Sequence, residues 1–153
     1  MREILFRGQT RKYGEKVRMG DGQKLPGHWV YGGVLQGIGS HSIIYGGENV
    51  NDPGENIDKW CVHTDTLGQF TGKTDKNGKK VFEHDILQTF TVWADGTVEK
   101  CGVGIVQWWE NDQCYVLTTK QGHHIDDFGN YGRPEYYEVI GNIHDNPELL
   151  ENP

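Results

Sequence analysis

Alanine is almost absent from this 153-residue sequence, which contains it only at Ala94. Because alanine is the best helix former and a glycine inside a helix costs about 1 kcal/mol, one alanine beside 22 glycines excludes an all-α fold. Long apolar runs are also lacking, and none approaches the roughly 20 residues of a membrane-spanning helix. The start at Met1 shows no secretory signal. We therefore expect a soluble cytoplasmic protein with no membrane partner.

Cysteine is scarce as well. Cys61, Cys101 and Cys114 are an odd number, which suits a reducing compartment better than a disulfide framework, so we expect free thiols. Each lies beside apolar residues in a predicted strand. This placement favours small buried side chains over reactive or metal-binding thiols.

Positive charge is in deficit, because the net charge is −7. An acidic protein repels the phosphate backbone, so nucleic acid is not the favoured partner. Residues 1–24, however, carry seven Lys/Arg against three Asp/Glu, whereas residues 25–153 carry eight against 19. We call residues 1–24 the basic leader. It either folds back onto the acidic remainder or offers a surface to an acidic partner.

What the sequence does contain is strand patterning, clearest in its second half. Runs rich in β-branched and aromatic residues at 85–93, 98–109 and 114–119 predict a three-strand meander. Gly102 and Gly104 inside the second run indicate a bulge or bend, as in small barrels. A last strand at 136–143 precedes a short C-terminal helix. We predict a mainly β fold whose residues 61–153 form a small barrel-like meander resembling SH3-like barrels.

The first part, residues 1–60, is predicted to be β with long loops. Residues 1–7 alternate, with Ile4 and Phe6 on one face, as in a half-buried strand. A second apolar stretch at residues 28–31 and a third from residues 34–35 to 43–45 are predicted to be short strands broken by glycine, with Gly32 and Gly33 between them. Residues 8–27 and 46–59 are polar and are predicted to be loops. We expect one domain spanning residues 1–153.

The densest cluster of possible metal ligands is His123, His124, Asp126 and Asp127. Adjacent histidines diverge on a strand, and the spacing of known zinc sites is missing, so a polar surface loop is the favoured interpretation. Whether these four residues bind metal stays open.

A second possible ligand set is Cys61 with His63, completed by His41 or His84. It is weaker still, because its members come from distant segments. Nucleophilic catalysis lacks a suitable elbow, and no phosphate-binding loop is present. We predict no enzyme, no catalytic residue, no cofactor and no metal.

Consecutive aromatic residues offer the clearest candidates for a binding surface. Because neighbouring strand residues point to opposite sides, either Trp108 or Trp109 should face outward. The outward ring is covered by another segment, seals a subunit interface, or stacks on a base or peptide. With the basic leader, the candidate partner-binding residues are Arg7, Arg11, Lys12, Trp29, Tyr31, Trp108 and Trp109.

Three stretches resemble the YopX family of phage and prophage proteins. Residues 62–86 (VHTDTLGQFTGKTDKNGKKVFEHDI) are similar to its central motif and residues 137–150 (YEVIGNIHDNPELL) to its closing motif. Residues 1–7, with the Trp-Val-Tyr of residues 29–31, are similar to its opening. The family typically has glycine where His84 stands. Either His84 adopts a left-handed conformation or this turn is built differently.

The resemblance implies a small, mostly β, phage-encoded protein in a bacterial cytoplasm, without an established activity. The leading hypothesis is a non-enzymatic binding module that forms homo-oligomers and binds an unknown phage or host protein. In such an oligomer the basic leader of one subunit would lie on the acidic face of its neighbour. The alternative is a single-stranded nucleic-acid-binding protein that uses the basic N-terminal segment.

Overall fold

The computed structural model describes residues 3–10, 12, 27–35, 39–45, 59–128 and 133–151. The chain divides into two compact units, Met1–Gln69 and Phe70–Pro153. The described residues form eleven strands and three short 3-10 helices, which confirms the prediction of a mainly β protein. In this part of the chain, no helix has the length and apolar character needed to cross a membrane.

The strands are β1 (Phe6–Gln9), β2 (Trp29–Leu35), β3 (His41–Tyr45), β4 (Lys59–His63), β5 (Gly68–Thr74), β6 (Lys80–Phe82), β7 (Asp85–Val92), β8 (Val98–Trp109), β9 (Cys114–Thr118), β10 (His124–Asp126) and β11 (Tyr137–Asn142). The 3-10 helices span Thr64–Thr66, Pro134–Tyr136 and Pro147–Leu150.

The first unit is an antiparallel sheet in the order β4-β3-β2-β1, and the start of β5 pairs with β1. Val30, Ile44 and Val62 form its apolar cluster, because they point to the same face of three neighbouring strands. Gly8 of β1 lies so close to this cluster that a Cβ atom there would be 2.9 Å from Val62 Cγ2.

Two predictions for the first unit were wrong. The first strand begins at Phe6, and Ile4 is 71% exposed rather than half buried. β2 runs unbroken through Gly32 and Gly33, because the ring of Tyr45 on β3 covers Gly33 and replaces the missing side chain. The predicted loops at residues 8–27 and 46–59 lie mostly outside the described residues, apart from strand residues at their ends.

The second unit contains a five-stranded antiparallel sheet in the order β10-β9-β8-β7-β11. The predicted meander is present as β7, β8 and β9, and the predicted last strand is β11. Its core cluster is Val81, Leu87, Val106, Tyr115, Leu117, Phe128 and Tyr137. A short hairpin, formed by the rest of β5 with β6, supplies Val81.

Three turns in this unit share one design, at residues 75–79, 93–97 and 119–123. In each, the first residue pairs with the fifth through a backbone hydrogen bond, and the glycine at the fourth position donates back to the first. Gly78, Gly96 and Gly122 have φ of 79°, 86° and 83°. The turn at 75–79 is not of type I′, because Gly78 has positive φ and Asn77 does not.

The predicted bend at Gly102 is a β-bulge. Between Gln88 and Phe90 of β7 the register with β8 shifts, since Gln88 faces Val103 and Phe90 faces Lys100. The Thr89 hydroxyl accepts the Gly102 N–H at 3.0 Å and lies 3.1 Å from the Gly102 carbonyl oxygen. This side chain thus replaces the ladder bonds lost at the bulge.

The barrel predicted for the second part of the chain is not closed in the part that the structure describes. Its five-stranded sheet is curled instead. Strand pairing within the described residues leaves the sheet open, with β10 and β11 at its two edges. Even so, the Tyr137 phenol on β11 donates a 2.8 Å hydrogen bond to Asp126 Oδ2 on β10. Across a flat five-stranded sheet these edges would be about 19 Å apart, more than two side chains can span. The sheet must therefore curl around its core.

The predicted C-terminal helix is a short 3-10 helix and not an α-helix. Pro147–Leu150 is a 3-10 helix, and Asn146 precedes it without capping it through its side chain. The Asn146 side chain instead accepts the Asn142 N–H at 3.3 Å, which ties it back to β11. Pro147 occupies the start of this 3-10 helix.

All three cysteines are free thiols, as predicted. Cys114 is buried, whereas Cys61 and Cys101 are exposed. The prediction that all three are small core side chains was wrong for two of them. Cys61 lies on the outer side of β4, and Cys101 lies at the bulge of β8.

Candidate functional site

A concavity of the second unit lies between β8, β9 and the turn at residues 119–123. Its volume is about 130 Å³. It is lined by Gln107, Trp108, Trp109, Val116, Thr118 and Gly122. We call it the Trp109 pocket.

The antiparallel pairing of β8 with β9 builds this pocket. Gln107 faces Val116, and Trp109 faces Cys114. Because alternate strand residues point to the same side, Gln107, Trp109, Val116 and Thr118 share one face of the pair. The turn glycine at 122 adds no side chain, so the concavity remains open above Thr118.

Thr118 is the unusual member of the lining. It is 3% exposed, and its hydroxyl has no hydrogen-bond partner among the described residues. Leaving a buried hydroxyl unpaired costs about 1–3 kcal/mol. Because this hydroxyl is closed off from solvent, it belongs to the floor of the pocket and is not a group that an occupant contacts directly.

The wall of the pocket is braced by the histidine cluster singled out in the sequence. The His124 ring lies 5.1 Å from the Trp109 ring, and its Nε2 atom lies 2.7 Å from Asp127 Oδ1. The His124 ring, which Asp127 orients, thus packs against the Trp109 indole. His124 belongs to the edge strand β10, so the prediction of a polar loop through this cluster was wrong at this point.

The remaining members of the cluster have other roles. Asp126 accepts a hydrogen bond from the Tyr137 phenol. Burial of the phenol and the nearby Asp126 carboxylate raise the pKa of Tyr137. His123 is exposed at the end of the turn. No group of three or more His, Cys, Asp or Glu side chains placed to hold a metal ion occurs among the described residues.

Trp108 confirms that the two tryptophans face opposite ways. Its ring packs edge-on against Tyr115, with the centroids 5.0 Å apart, and 41% of the residue is exposed. Trp109 is only partly exposed. The outward position predicted for one of the two belongs to Trp108.

The N-terminal candidates lie in the first unit. Arg7 is buried, with its guanidinium 4.6 Å from the Trp29 ring centroid, so it is not a free surface charge. Lys12 Nζ lies 2.7 Å from Asp65 Oδ2, so this part of the basic leader folds back onto its own chain. Tyr31 is exposed, and Arg11 lies outside the described residues.

The second possible ligand set, Cys61 and His63 with His41 or His84, is only partly brought together by the fold. His41 and His63 face each other across β3 and β4, with ring centroids 4.8 Å apart. Cys61 lies two residues from His63 on the same strand and is exposed. His84 belongs to the other unit.

The central stretch quoted above is built as scaffold. Its apolar residues Phe70, Val81, Phe82 and Ile86 are buried. The buried Asp75 carboxylate accepts three backbone N–H groups, from Asn77, Lys79 and Val139, at 2.9 to 3.0 Å. The turn at 75–79 is thereby fixed to β11. His84 adopts the left-handed conformation, with φ of 69°, so it is accommodated where the family has glycine.

Sequence reasoning found the tryptophan of the pocket but missed Gln107 and Thr118. Both are polar residues within strongly patterned strands. Thr118 continues the β-branched run of β9 and looks like any other buried strand residue. A polar atom left unpaired is a property of three-dimensional packing, which the sequence pattern does not report.

The groups that face the pocket include the Gln107 amide and the Trp109 indole ring. Together they can stack on one ring or side chain and hydrogen-bond a neutral polar group. A cavity of about 150 Å³ holds a benzene molecule, whereas drug-sized ligands need about 300–1,000 Å³. The site therefore suits a single aromatic side chain rather than a nucleotide cofactor.

The comparisons with known proteins agree with the resemblance noted in the sequence. No curated protein matches the chain. The family model described as YopX protein matches residues 27–151, which include β2 through β11 and the whole Trp109 pocket. The chain therefore belongs to the YopX family.

Proposed function

We propose that this chain is a phage-encoded accessory protein of the bacterial cytoplasm that acts as a non-enzymatic, self-associating binding module. The observation that carries the proposal is the pocket beside Trp109, which has the size of one aromatic side chain. The occupant of the pocket is the Trp93 side chain of a second copy.

A projecting hairpin supplies the occupant. Every residue from 92 to 101 is exposed, so the ends of β7 and β8 form a two-stranded arm with both faces in solvent. At its tip Trp93 is 55% exposed, beside Val98 at 57%. The turn fixes the arm, because Trp93 N–H donates to the Thr97 carbonyl at 2.8 Å.

The chemistry of the two surfaces is complementary. An indole offers one N–H donor and a large apolar face. The pocket offers the Trp109 ring as a stacking surface and the Gln107 amide oxygen as an acceptor. Burying an exposed tryptophan in such a site supplies the desolvated anchor that dominates many protein interfaces.

Association through the sheet edges is less favoured, because both edges are protected. β10 has only three residues and shifts register against β9. On β11, the Val139 N–H is taken by Asp75, and the Tyr137 carbonyl accepts the Lys76 N–H at 3.0 Å. Arm-into-pocket docking uses neither edge.

Such a contact is heterologous, since the arm of one subunit meets the pocket of the next. It closes into a ring if the rotation between subunits permits. Exposed charge pairs contribute only about 0–1 kcal/mol each, so salt should weaken the assembly only partly.

Mass measurement by size-exclusion chromatography with light scattering tests this proposal. We expect the wild-type protein to exceed the monomer mass at high micromolar concentration and Trp93→Ala to run as a monomer. Trp60→Ala, which removes another exposed tryptophan, from the first unit, should retain the wild-type mass. A monomeric wild-type protein, or an unchanged mass for Trp93→Ala, would contradict it.

The alternative, single-stranded nucleic-acid binding, is supported by Trp108. Its exposed ring is the kind of surface on which a base stacks. A labelled oligothymidine titrated across salt concentrations distinguishes the two functions. Lack of binding at low ionic strength would eliminate this alternative.

A further inference from the structure

Two imidazoles from distant parts of the second unit meet between the turn that follows β6 and the turn that follows β11. His84 Nδ1 lies 3.4 Å from His144 Nε2, and the ring centroids are 5.3 Å apart. Both residues are partly buried. We propose that this pair binds a divalent transition-metal ion of the class that prefers imidazole nitrogen, such as Zn²⁺, Ni²⁺ or Cu²⁺.

The separation of the two nitrogens matches a metal ion better than it matches a direct hydrogen bond. Zinc–nitrogen bonds are about 2.0–2.1 Å long, so two ligands at the tetrahedral angle lie about 3.4 Å apart. The rings need not move apart to admit the ion. By contrast, 3.4 Å is long for an N–H···N hydrogen bond, so little is lost when the ion replaces it.

The backbone beneath both rings is fixed. His84 is held at φ 69° because its N–H donates to the Val106 carbonyl at 2.8 Å and its carbonyl accepts the Ile143 N–H at 3.0 Å. The His144 N–H donates to Asn142 Oδ1 at 3.0 Å. Ligands positioned in advance bind with a smaller entropy cost than ligands on mobile loops.

The site is an open one. Among the residues that the structure describes, no third His, Cys, Asp or Glu completes a ligand group with this pair. A site with two protein ligands binds a metal ion with lower affinity than a four-ligand structural site. Because the ion joins residues 60 positions apart in the chain, it ties the C-terminal turn to the β6–β7 turn.

The test is a titration of metal-free protein with zinc chloride, followed by calorimetry and thermal unfolding. We expect one ion per chain and a rise in Tm of about 5–10 °C at free zinc about 100-fold above Kd. Magnesium chloride should have no effect, because Mg²⁺ prefers oxygen ligands. Amide exchange at Asn146 and Leu149, which follow the His144 turn, should slow with zinc.

Two variants separate the metal site from a merely structural role. Asn tolerates the left-handed conformation, so His84→Asn keeps the turn, and His144→Gln keeps a polar side chain. Each should lower zinc affinity about tenfold or more while its Tm in chelator stays near that of the wild type. His41→Gln, from the other close histidine pair, should bind zinc as the wild type does.

Three results would overturn the proposal. The first is a wild-type protein whose Tm does not respond to zinc. The second is zinc binding that survives in His144→Gln. The third is binding lost in His41→Gln, which would move the site to the first unit. If His84→Asn fails to fold, the result for His144→Gln decides.

Discussion

The two units of this chain are stabilised in different ways. Within the described residues, the first unit has a small apolar cluster and buries several polar side chains, namely Arg7, Gln9, Ser42 and Thr66. The second unit packs seven buried apolar and aromatic residues into one core. The apolar core of the second unit can be predicted from the alternation of apolar residues in the sequence. The buried polar groups of the first unit cannot, because their pairing depends on which groups meet in the folded structure.

Hydrogen bonds across long sequence separations connect the first unit. The Gln9 N–H donates to Thr66 Oγ1 at 2.9 Å, and the hydroxyls of Ser42 and Thr64 share a hydrogen bond of 2.8 Å. Each contributes about 0.5–1.5 kcal/mol net, which is less than a large core side chain contributes. Substitutions in the second core should therefore cost more.

The largest effect is expected for Phe128→Ala. Phe128 is 1% exposed and packs edge-on against Tyr137, with the centroids 4.9 Å apart. The cavity left by its ring should lower the unfolding free energy by about 3–5 kcal/mol, measured by urea denaturation. Ser42→Ala in the first unit should cost about 1 kcal/mol. Equal losses would remove the distinction between the two units.

A smaller loss is expected for Asp75→Asn. The amide has one acceptor oxygen, whereas the carboxylate accepts three N–H groups, so at least one buried donor loses its partner. We expect a loss of about 2–3 kcal/mol in the same denaturation assay. Asp95→Asn, in an exposed turn of the same design, is the matched control and should leave the midpoint unchanged. A shift for the control as large as for Asp75→Asn would be inconsistent with a special role for Asp75.

Two glycines on strands of different units give opposite expectations. A Cβ at Gly8 would lie 2.9 Å from Val62 Cγ2 and 3.0 Å from Val62 Cβ, so Gly8→Ala must displace the small first core. We expect a cost of about 1–3 kcal/mol. At Gly102 a Cβ meets nothing within 4 Å, so Gly102→Ala should be neutral or stabilise by up to about 1 kcal/mol. Thermal unfolding of both variants checks this, and a neutral Gly8→Ala would refute the close contact.

The smallest effect concerns alkaline pH. Burial, with the hydrogen bond to Asp126, raises the pKa of the Tyr137 phenol above its ordinary value of 10.0. The native state then retains a proton that the unfolded state loses, so this stabilisation is complete below pH 10.0 and declines above it. Denaturation between pH 8 and about pH 11 should show a steeper decline for the wild type than for Tyr137→Phe. Parallel curves would indicate that the phenol does not contribute.

The second unit was predicted well because its local signals agree with its packing. β8 has the predicted bounds, and Gly102 marks a bulge as its sequence indicates. Phe128 was missed as a core residue, since it follows a polar stretch and carries no strand pattern. The curl of the sheet depends on the contact of Tyr137 with Asp126, which unites residues far apart in the strand order.

The first unit and the pocket were predicted less well for a physical reason. Gly33 would interrupt a strand in isolation, but the Tyr45 ring from β3 replaces its side chain. Trp109 was a candidate from its residue type alone. Its pairing with His124, and the unpartnered hydroxyl of Thr118, arise from the register of β8, β9 and β10. Register across three strands is not encoded in any short stretch of sequence.

The central claim, that the arm of one copy occupies the Trp109 pocket of another, is tested most directly by complementation. Trp93→Ala keeps the pocket and loses the occupant, whereas Trp109→Ala keeps the occupant and loses the stacking surface. Sedimentation velocity should find each variant monomeric alone and a one-to-one heterodimer when they are mixed. Two monomers that stay apart in the mixture, although both are folded by circular dichroism, would contradict the claim.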